Sequence, residues 1–341
     1  GFRLLNYLQK FINCIQLCIP LLALPNFLLA ENAHQRLGHL LTLGTASASG
    51  TYWPVGKGIC EIINQKRVES GIRCHALLTG GSVYNVQALR SGELDLAITR
   101  SELAEKAYAG ISSFNEWGPF TELRIVLGLY DQPVSLVVKA NSDIQKLIDL
   151  KGKRIGLAKP GSGQRRHVEL ILQAASLGSK DVILDSGLSA KAMGSKFCDG
   201  EIDVVIQAIA HPSKYYENLI KNCNARIVSM DVSDFERIKS FDQGAQKITL
   251  PESLYGLMAD TINTYGYKAV LVTSSKVPDD VISHVIDILT ENFEKYYQIN
   301  DTLSAGGFRT FLTNDINVPV HNGAVSFNRA LTEYLKANDA N

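Results

Sequence analysis

Short apolar runs alternate along the chain with amphipathic stretches, and the alternation sets the order of elements. Residues 41–46 read as a buried strand that passes through a loop of small and hydroxyl residues into a helix over about 54–66, where Val55, Ile59, Ile62 and Ile63 recur at helical spacing. A second strand at 72–78 runs into Thr79-Gly80-Gly81-Ser82. The helix after it carries Val83, Val86 and Leu89 on one stripe, with Ser82 placed to cap it. Ser91-Gly92 turns the chain into a third strand at 94–98. Residues 123–130 and 134–139 predict two more strands, with Pro133 as the interruption between them.

The pattern then begins again. Residues 153–157 predict a strand, 159–163 a glycine loop, and 164–175 a helix that buries Val168, Ile171, Leu172 and Ala175. A short strand at 182–184 comes next, then a helix that Ser189 caps and that carries Ala192, Met193 and Phe197. The strand at 201–206 stands in GEIDVVI (200–206), an echo of GELDLAI (92–98) with an acid at the same place after a helix-ending glycine. Strand–helix alternation predicts an α/β chain with mostly parallel, doubly wound sheets, and the echo predicts two lobes of like construction. Ligands of such folds sit at the carboxyl ends of the strands. A single sheet with a coincidental echo is the alternative.

Strands at 225–229 and 268–273 follow, while 231–266 has weak periodicity and is left unassigned. Lys276-Val277-Pro278-Asp279-Asp280 introduces a helix to about Tyr297 with Val281, Val285, Ile288 and Leu289 inward. A last amphipathic segment from Ala324 carries Phe327, Leu331 and Leu335, and is expected to return to the first lobe. The expected organisation is a signal segment at 1–30, a first lobe at 38–130, a second lobe at 131–235, and a return segment at 236–341 that completes the first lobe.

Composition narrows the function classes. A chain of 341 residues that is 45% hydrophobic can bury a large core, and its length favours two domains. Acids and bases balance at 34 each, with no dense Lys/Arg stripe of the kind a nucleic-acid backbone requires. The first thirty residues differ from the rest: Arg3 and Lys10 precede a mostly apolar run over 11–29, and Pro20 and Pro25 argue against a stable spanning helix. This layout reads as a secretory signal peptide; Leu28, where a small residue is preferred, keeps a retained anchor open as the alternative. Cys14 and Cys18 would leave with a cleaved signal. Cys60, Cys74, Cys198 and Cys223 either pair in an oxidising compartment or stay as buried thiols.

Three loops carry the candidate chemistry. Residues 44–52 place Thr45, Ser47, Ser49 and Thr51 hydroxyls beside Gly50 before a helix start, where free N–H groups and hydroxyls can hold a carboxylate without a full counter-charge. An ordinary βα loop is the bland alternative. Thr79-Gly80-Gly81-Ser82 repeats the arrangement with Asn85 one turn on, and Pro160-Gly161-Ser162-Gly163 repeats it in the second half. Gly156 and Gly161 imitate the glycine spacing of a phosphate loop, but Ser162 stands where the lysine belongs, so that motif fails. Arg100 follows the third strand and is placed to hold a carboxylate, unless Glu102 consumes its charge in a salt bridge. Histidines form no metal-binding pattern, no G-x-S-x-G elbow is present, and His211 beside Pro212 reads as a structural turn, a pairing with Asp203 staying open. Tyr52, Trp53 and Tyr130 read as packing residues. No cofactor or metal is expected.

Five blocks in order carry a family resemblance: GTASASGTYWPVG (44–56), TGGSVYNVQALRSGELDLAI (79–98), DLKGKRIGLAKPGSGQR (149–165), DGEIDVV (199–205) and VHNGA (320–324). In these the chain resembles the TAXI family of extracytoplasmic solute receptors, which serve tripartite ATP-independent periplasmic (TRAP) transporters. The resemblance implies a type II periplasmic-binding-protein fold with a hinged interlobe cleft, a periplasmic location, and a monomer that hands a small organic anion, glutamate-like or dicarboxylate, to a TRAP-type permease. It implies no catalysis. The ligand-facing positions it carries over are Gly44, Thr45, Ser49, Gly50, Thr51 and Tyr52; Thr79, Gly80, Gly81, Ser82 and Asn85; Arg100 and Ser101; and Pro160, Gly161, Ser162 and Gly163. Departures are Ala46, Ser47 and Ala48 in a loop that usually holds more glycine, Arg100 for glutamine, Glu102 for aspartate, Gln164 for threonine and Asn322 for proline. Two readings compete: an exported enzyme on the same scaffold, and a ligand sensor without a transport role.

Overall fold

The structure, a computed structural model, describes residues 38–48, 50–160, 163–251, 254–256, 261–305 and 307–339. The segment 1–30, expected to be a signal, and Ser49, Gly161 and Ser162 lie outside the described residues. The chain divides into two units, residues 1–129 with 270–341 and residues 130–269.

Unit 1 begins with β1 (His39–Gly44), α1 (Tyr52–Gln65), the short α2 (Arg67–Ser70), β2 (Ile72–Leu77), α3 (Ser82–Ser91), β3 (Leu96–Arg100) and α4 (Ser101–Ala109). Strand β1 pairs in parallel with β2 on one side and β3 on the other. Three strands therefore end at one edge, and each hands the chain to a helix there. One face of this sheet buries Val86, Leu89, Leu94 and Ala97 against Leu103, Ala104 and Phe114. On α1, the stripe read from the sequence is the buried one: Val55, Ile59, Ile62 and Ile63. A disulfide joins Cys60 of α1 to Cys74 of β2.

The chain leaves unit 1 along β4 (Leu123–Lys139), a single 17-residue strand. Pro133 does not interrupt it. Pairing with β7 (Val204–Ala208) starts at Val134, so the missing proline N–H costs no bond of that ladder. Opposite lies Gly266, where a β-carbon would overlap Gln132 O and come within 2.7 Å of Pro133 Cα, so only glycine admits the backbone this closely.

Unit 2 continues with β5 (Arg154–Leu157), α5 (Gly163–Ala174), β6 (Ile183–Ser186), α6 (Ala190–Cys198), β7 (Val204–Ala208), α7 (Lys214–Asn222), β8 (Ala225–Ile227), α8 (Val232–Phe241), β9 (Gln246–Leu250) and the beginning of β10 (Ile262–Ser274). Strand β5 pairs in parallel with β6 and β7, whereas β4 runs antiparallel to β7 and β8. The core residues expected on α5, Val168, Ile171, Leu172 and Ala175, are buried against Ile155, Leu157 and Val204. Ser189 caps α6 through Ala192 N at 3.2 Å. A second disulfide, Cys198–Cys223, ties the end of α6 to the end of α7.

The return to unit 1 comes at Val270, not at 236. Segment 231–266 holds α8, β9 and the start of β10, all in unit 2. Its weak periodicity has a cause: α8 buries only Asp234 and Ile238, and β9 alternates exposed and buried residues over five positions. Beyond Ala269, β10 lies beside β3, and Thr273 Oγ1 donates to Asp95 O at 2.6 Å. Then α9 (Asp279–Glu291), α10 (Phe293–Ile299), α11 (Asp301–Ala305) and α12 (Asn322–Asp339) complete unit 1.

The closing VHNGA block is a clasp. Val320 bridges to Ile125, His321 N donates to Ile125 O at 2.8 Å, and His321 Nε2 lies 3.0 Å from Val277 O. A β-carbon at Gly323 would overlap Asp279 O, so this glycine lets α12 reach the start of α9.

Candidate functional site

Unit 1 presents the starts of α1, α3 and α4 at the carboxyl edge of its three parallel strands. None of the preceding residues, Thr51, Gly81 and Arg100, caps its helix with a side chain. The first turns of α1 and α3 contain no acid. Helix starts of this kind present N–H groups and the positive end of the helix dipole.

The residues expected to face a ligand divide by what their polar atoms already do. Gly44 ends β1, and a β-carbon there would overlap Leu94 Cδ1 and lie 2.8 Å from Asn85 Oδ1. Thr45 is fully buried and spends its hydroxyl on Leu77 O at 2.6 Å. Asn85 is likewise fully buried: Nδ2 donates to Thr45 O at 2.7 Å and to Ile98 O at 2.8 Å, and Oδ1 sits 2.6 Å from Thr79 Oγ1. The carboxamide thus bolts two strands and the second loop together instead of projecting from them. Thr79 Oγ1 also lies 2.9 Å from Thr45 O and accepts from Gly81 N at 3.2 Å. Gly44, Thr45, Thr79 and Asn85 make the frame.

Nearer the helix starts, Gly50 N donates to Ser47 O at 3.0 Å and closes the turn before Thr51. Gly80 is exposed. Gly81, at φ 90° and ψ −160°, holds a backbone that favours glycine, and it occupies the cap position expected of Ser82. Ser82 is instead the first helical residue, and its Oγ lies 3.2 Å from the hydroxyl of the buried Tyr52. Burial pushes the Tyr52 phenol up to about 12, the Arg100 guanidinium and the Ser82 hydrogen bond pulling against it. Ser101 is buried at the start of α4.

Arg100 is engaged by its neighbour. Its Nε lies 2.8 Å from Glu102 Oε1, and the acid's side chain is only 4% exposed. The salt bridge is the arrangement adopted.

In unit 2, Pro160 is exposed before Gly163 opens α5. Gln164, not identified as functional in the sequence, organises this loop. Its Oε1 accepts from Ala158 N at 2.8 Å, and its Nε2 donates to Ile206 O at 2.8 Å and Gly156 O at 3.2 Å. Ile206 and Ile98 are the same position of the sequence echo, and each carbonyl accepts from a side-chain amide; the amides stand 42 and 13 residues upstream, so the sequence around the echo carries no signal for Gln164.

His211, in the loop between β7 and α7, has partners other than Asp203. Nε2 lies 2.8 Å from Ser135 Oγ and Nδ1 2.7 Å from Tyr255 Oη, while Ser213 N donates to that phenol at 2.9 Å. The ring stacks on Tyr216 at 4.3 Å. Asp203 instead takes Arg154, through Nη2 at 2.6 Å and the backbone N at 2.8 Å. Neither Ser135 nor Tyr255 carries a local sequence signal.

Among solved structures, XAC2383 from Xanthomonas citri bound to ATP matches with a TM-score of 0.50 at 13% identity, over 88% of this chain and 98% of that one. The periplasmic aliphatic sulphonate binding protein SsuA from Escherichia coli matches with a TM-score of 0.47 at 14% identity, over 87% and 83%. The fold is a mixed α/β, two-lobed, periplasmic-binding-protein-like one. The model of the NMT1-like family matches residues 43–329, and the chain belongs to that family.

Proposed function

We propose that this protein is an extracytoplasmic solute receptor of the TAXI type, which binds a small carboxylate-bearing solute by closure of its two lobes and delivers it to a TRAP-type permease. The observation that carries the reading is the carboxyl edge of unit 1, where three strands of one parallel sheet deliver three helix starts, two of them without an acid in the first turn. Such an edge offers N–H groups, hydroxyls and dipoles to one anionic group, and the buried bonds of Asn85 keep it preorganised. Unit 2 repeats the plan at the β5–α5 loop, with Gln164 as the bolt and no acid in the first turn of α5. Closure would remove water from the solute and couple occupancy to shape.

Two disulfides, one in each unit, fit an oxidising compartment and support export. The Ser135–His211 contact does not favour an enzyme, because Ser135 is fully buried within β4 and out of a substrate's reach.

Native mass spectrometry of protein purified without added ligand tests the proposal. A co-purified small carboxylic acid is the expected result. A ligand-free spectrum, together with no thermal shift across a panel of amino acids and dicarboxylates, would overturn it.

A further inference from the structure

Among the described strands, β2 pairs with β1 alone, so one of its sides is a sheet edge. Leu77 O accepts from Thr45 N at 3.0 Å, which sets the backbone of Leu77, His75 and Arg73 toward β1. The backbone groups of Ile72, Cys74 and Ala76 therefore face outward. A row of this kind is a template for another strand. Two side chains already occupy part of it. Asn64, in the last turn of α1, accepts from Cys74 N through Oδ1 at 2.9 Å and donates to Cys74 O through Nδ2 at 2.8 Å. One carboxamide thus makes the two-way exchange with Cys74 that a residue of an antiparallel strand would make. Ser70, at the end of α2, accepts from Ile72 N through Oγ at 3.1 Å. The position of Asn64 is itself held: Cys60 lies one turn earlier on the same face of α1 and is joined to Cys74 by the disulfide. The helix grips Cys74 by its side chain and by its backbone.

We propose that Asn64 and Ser70 guard the β2 edge: by occupying its outward backbone groups they keep β2 from pairing with the β2 of a second copy of this chain. A second copy is the partner that fits, because a strand edge is complementary to itself. Turned about a two-fold axis through Cys74, two β2 strands run antiparallel, and Ile72 of each stands opposite Ala76 of the other. With Asn64 in place, a strand approaching Cys74 finds both of its backbone groups taken, and displacing the carboxamide only exchanges one pair of bonds for another. Without it, the same two groups gain partners by association. The inference stands apart from the receptor reading, since the edge belongs to none of the loops at the carboxyl ends of the strands.

The test is analytical ultracentrifugation of the purified protein over a concentration series, with amide hydrogen exchange on the same samples. The parent protein is expected to sediment as a monomer. Asn64→Ala is expected to self-associate at least about tenfold more tightly, and to gain protection at the Ala76 N–H that rises with concentration. Ala76→Pro removes an outward N–H and no bond to β1, so the double variant Asn64→Ala/Ala76→Pro is expected to return to a monomer. Ser70→Ala opens Ile72 N alone and is expected to shift association in the same direction by less; it supplies the answer if Asn64→Ala does not fold. A folded Asn64→Ala that stays as monomeric as the parent overturns the proposal, as does a monomeric Ser70→Ala standing in for it. Association that Ala76→Pro leaves intact overturns it too, because the contact then lies on another surface. A parent protein that already dimerises with its Ala76 N–H protected would show that the edge is not guarded.

Discussion

Asp95 and Asp203 close the same reciprocal pair of hydrogen bonds, each with the strand beside it in its own unit. Asp95 Oδ2 accepts from Thr42 N at 2.8 Å while Asp95 N donates to Thr42 O at 3.1 Å. Asp203 Oδ2 accepts from Arg154 N at 2.8 Å while Asp203 N donates to Arg154 O at 2.8 Å. Both acids follow a left-handed glycine that ends a helix, Gly92 at φ 78° and Gly200 at φ 75°. The echo GELDLAI and GEIDVVI is therefore one structural device used twice. It begins each strand at a fixed register against its neighbour.

Replacing Asp95 by alanine strands the Thr42 N–H and removes a second bond from Thr42 Oγ1 at 2.9 Å. A loss of about 1–3 kcal/mol is expected, read as a lower urea midpoint. Asp203→Ala removes the same backbone bond and an ion pair with Arg154 that water screens, the side chains being 33% and 42% exposed, so a loss of similar size is expected. A much larger loss would show that the Arg154 ion pair, and not the shared backbone bond, dominates.

Asn85→Ala leaves Thr45 O and Ile98 O without the amide that satisfies them in a buried site, for an expected loss of about 1–3 kcal/mol. Gln164→Ala does the same to Ile206 O. Hydrogen exchange should report faster opening of loop 45–51 in the first variant and of the β5–α5 loop in the second. Unchanged protection in both would remove the bolts from the account of the edges.

Burial pushes the His211 imidazole from the ordinary 6.5 down to about 3. The unfolded chain binds the proton that the folded chain refuses over this window. Stability from this group is therefore complete above the unfolded value and falls as the pH drops toward the folded one, by at most about 1.4 kcal/mol per pH unit. Urea titrations at about pH 7 and about pH 5 should show the drop in the parent protein and a smaller one in His211→Gln. Parallel behaviour of the two proteins would place the sensitivity elsewhere.

The disulfides Cys60–Cys74 and Cys198–Cys223 close short loops, with sequence separations of 14 and 25. Each is expected to stabilise its unit by about 3 kcal/mol. Mass mapping under non-reducing conditions should recover these two pairings, and Cys→Ser pairs tested separately should each lower the thermal midpoint. A reduced protein of unchanged stability would contradict the assignment.

Much of the fold was legible because its signals are local. Helix stripes such as Val55, Ile59, Ile62 and Ile63, the Ser189 cap and the glycine loops lie within a few residues of the structure they specify. Pro133 and segment 231–266 were harder to read for the opposite reason: the ladder from β4 to β7 begins only after the proline, and α8 has almost no stripe to detect.

By itself the sequence determined the alternation of strands and helices, the two-fold echo and the loops that end at the strands' carboxyl edges. Tertiary structure decided which polar groups in those loops are already used. Asn85 meets Thr45 across 40 residues and His211 meets Ser135 across 76, and these pairings convert two apparent ligand or catalytic candidates into framework. It also chose the salt bridge for Arg100 and the partners of four cysteines. Periodicity is a property of neighbouring residues, whereas the satisfaction of a buried donor or charge depends on what the folded chain brings within about 3 Å of it.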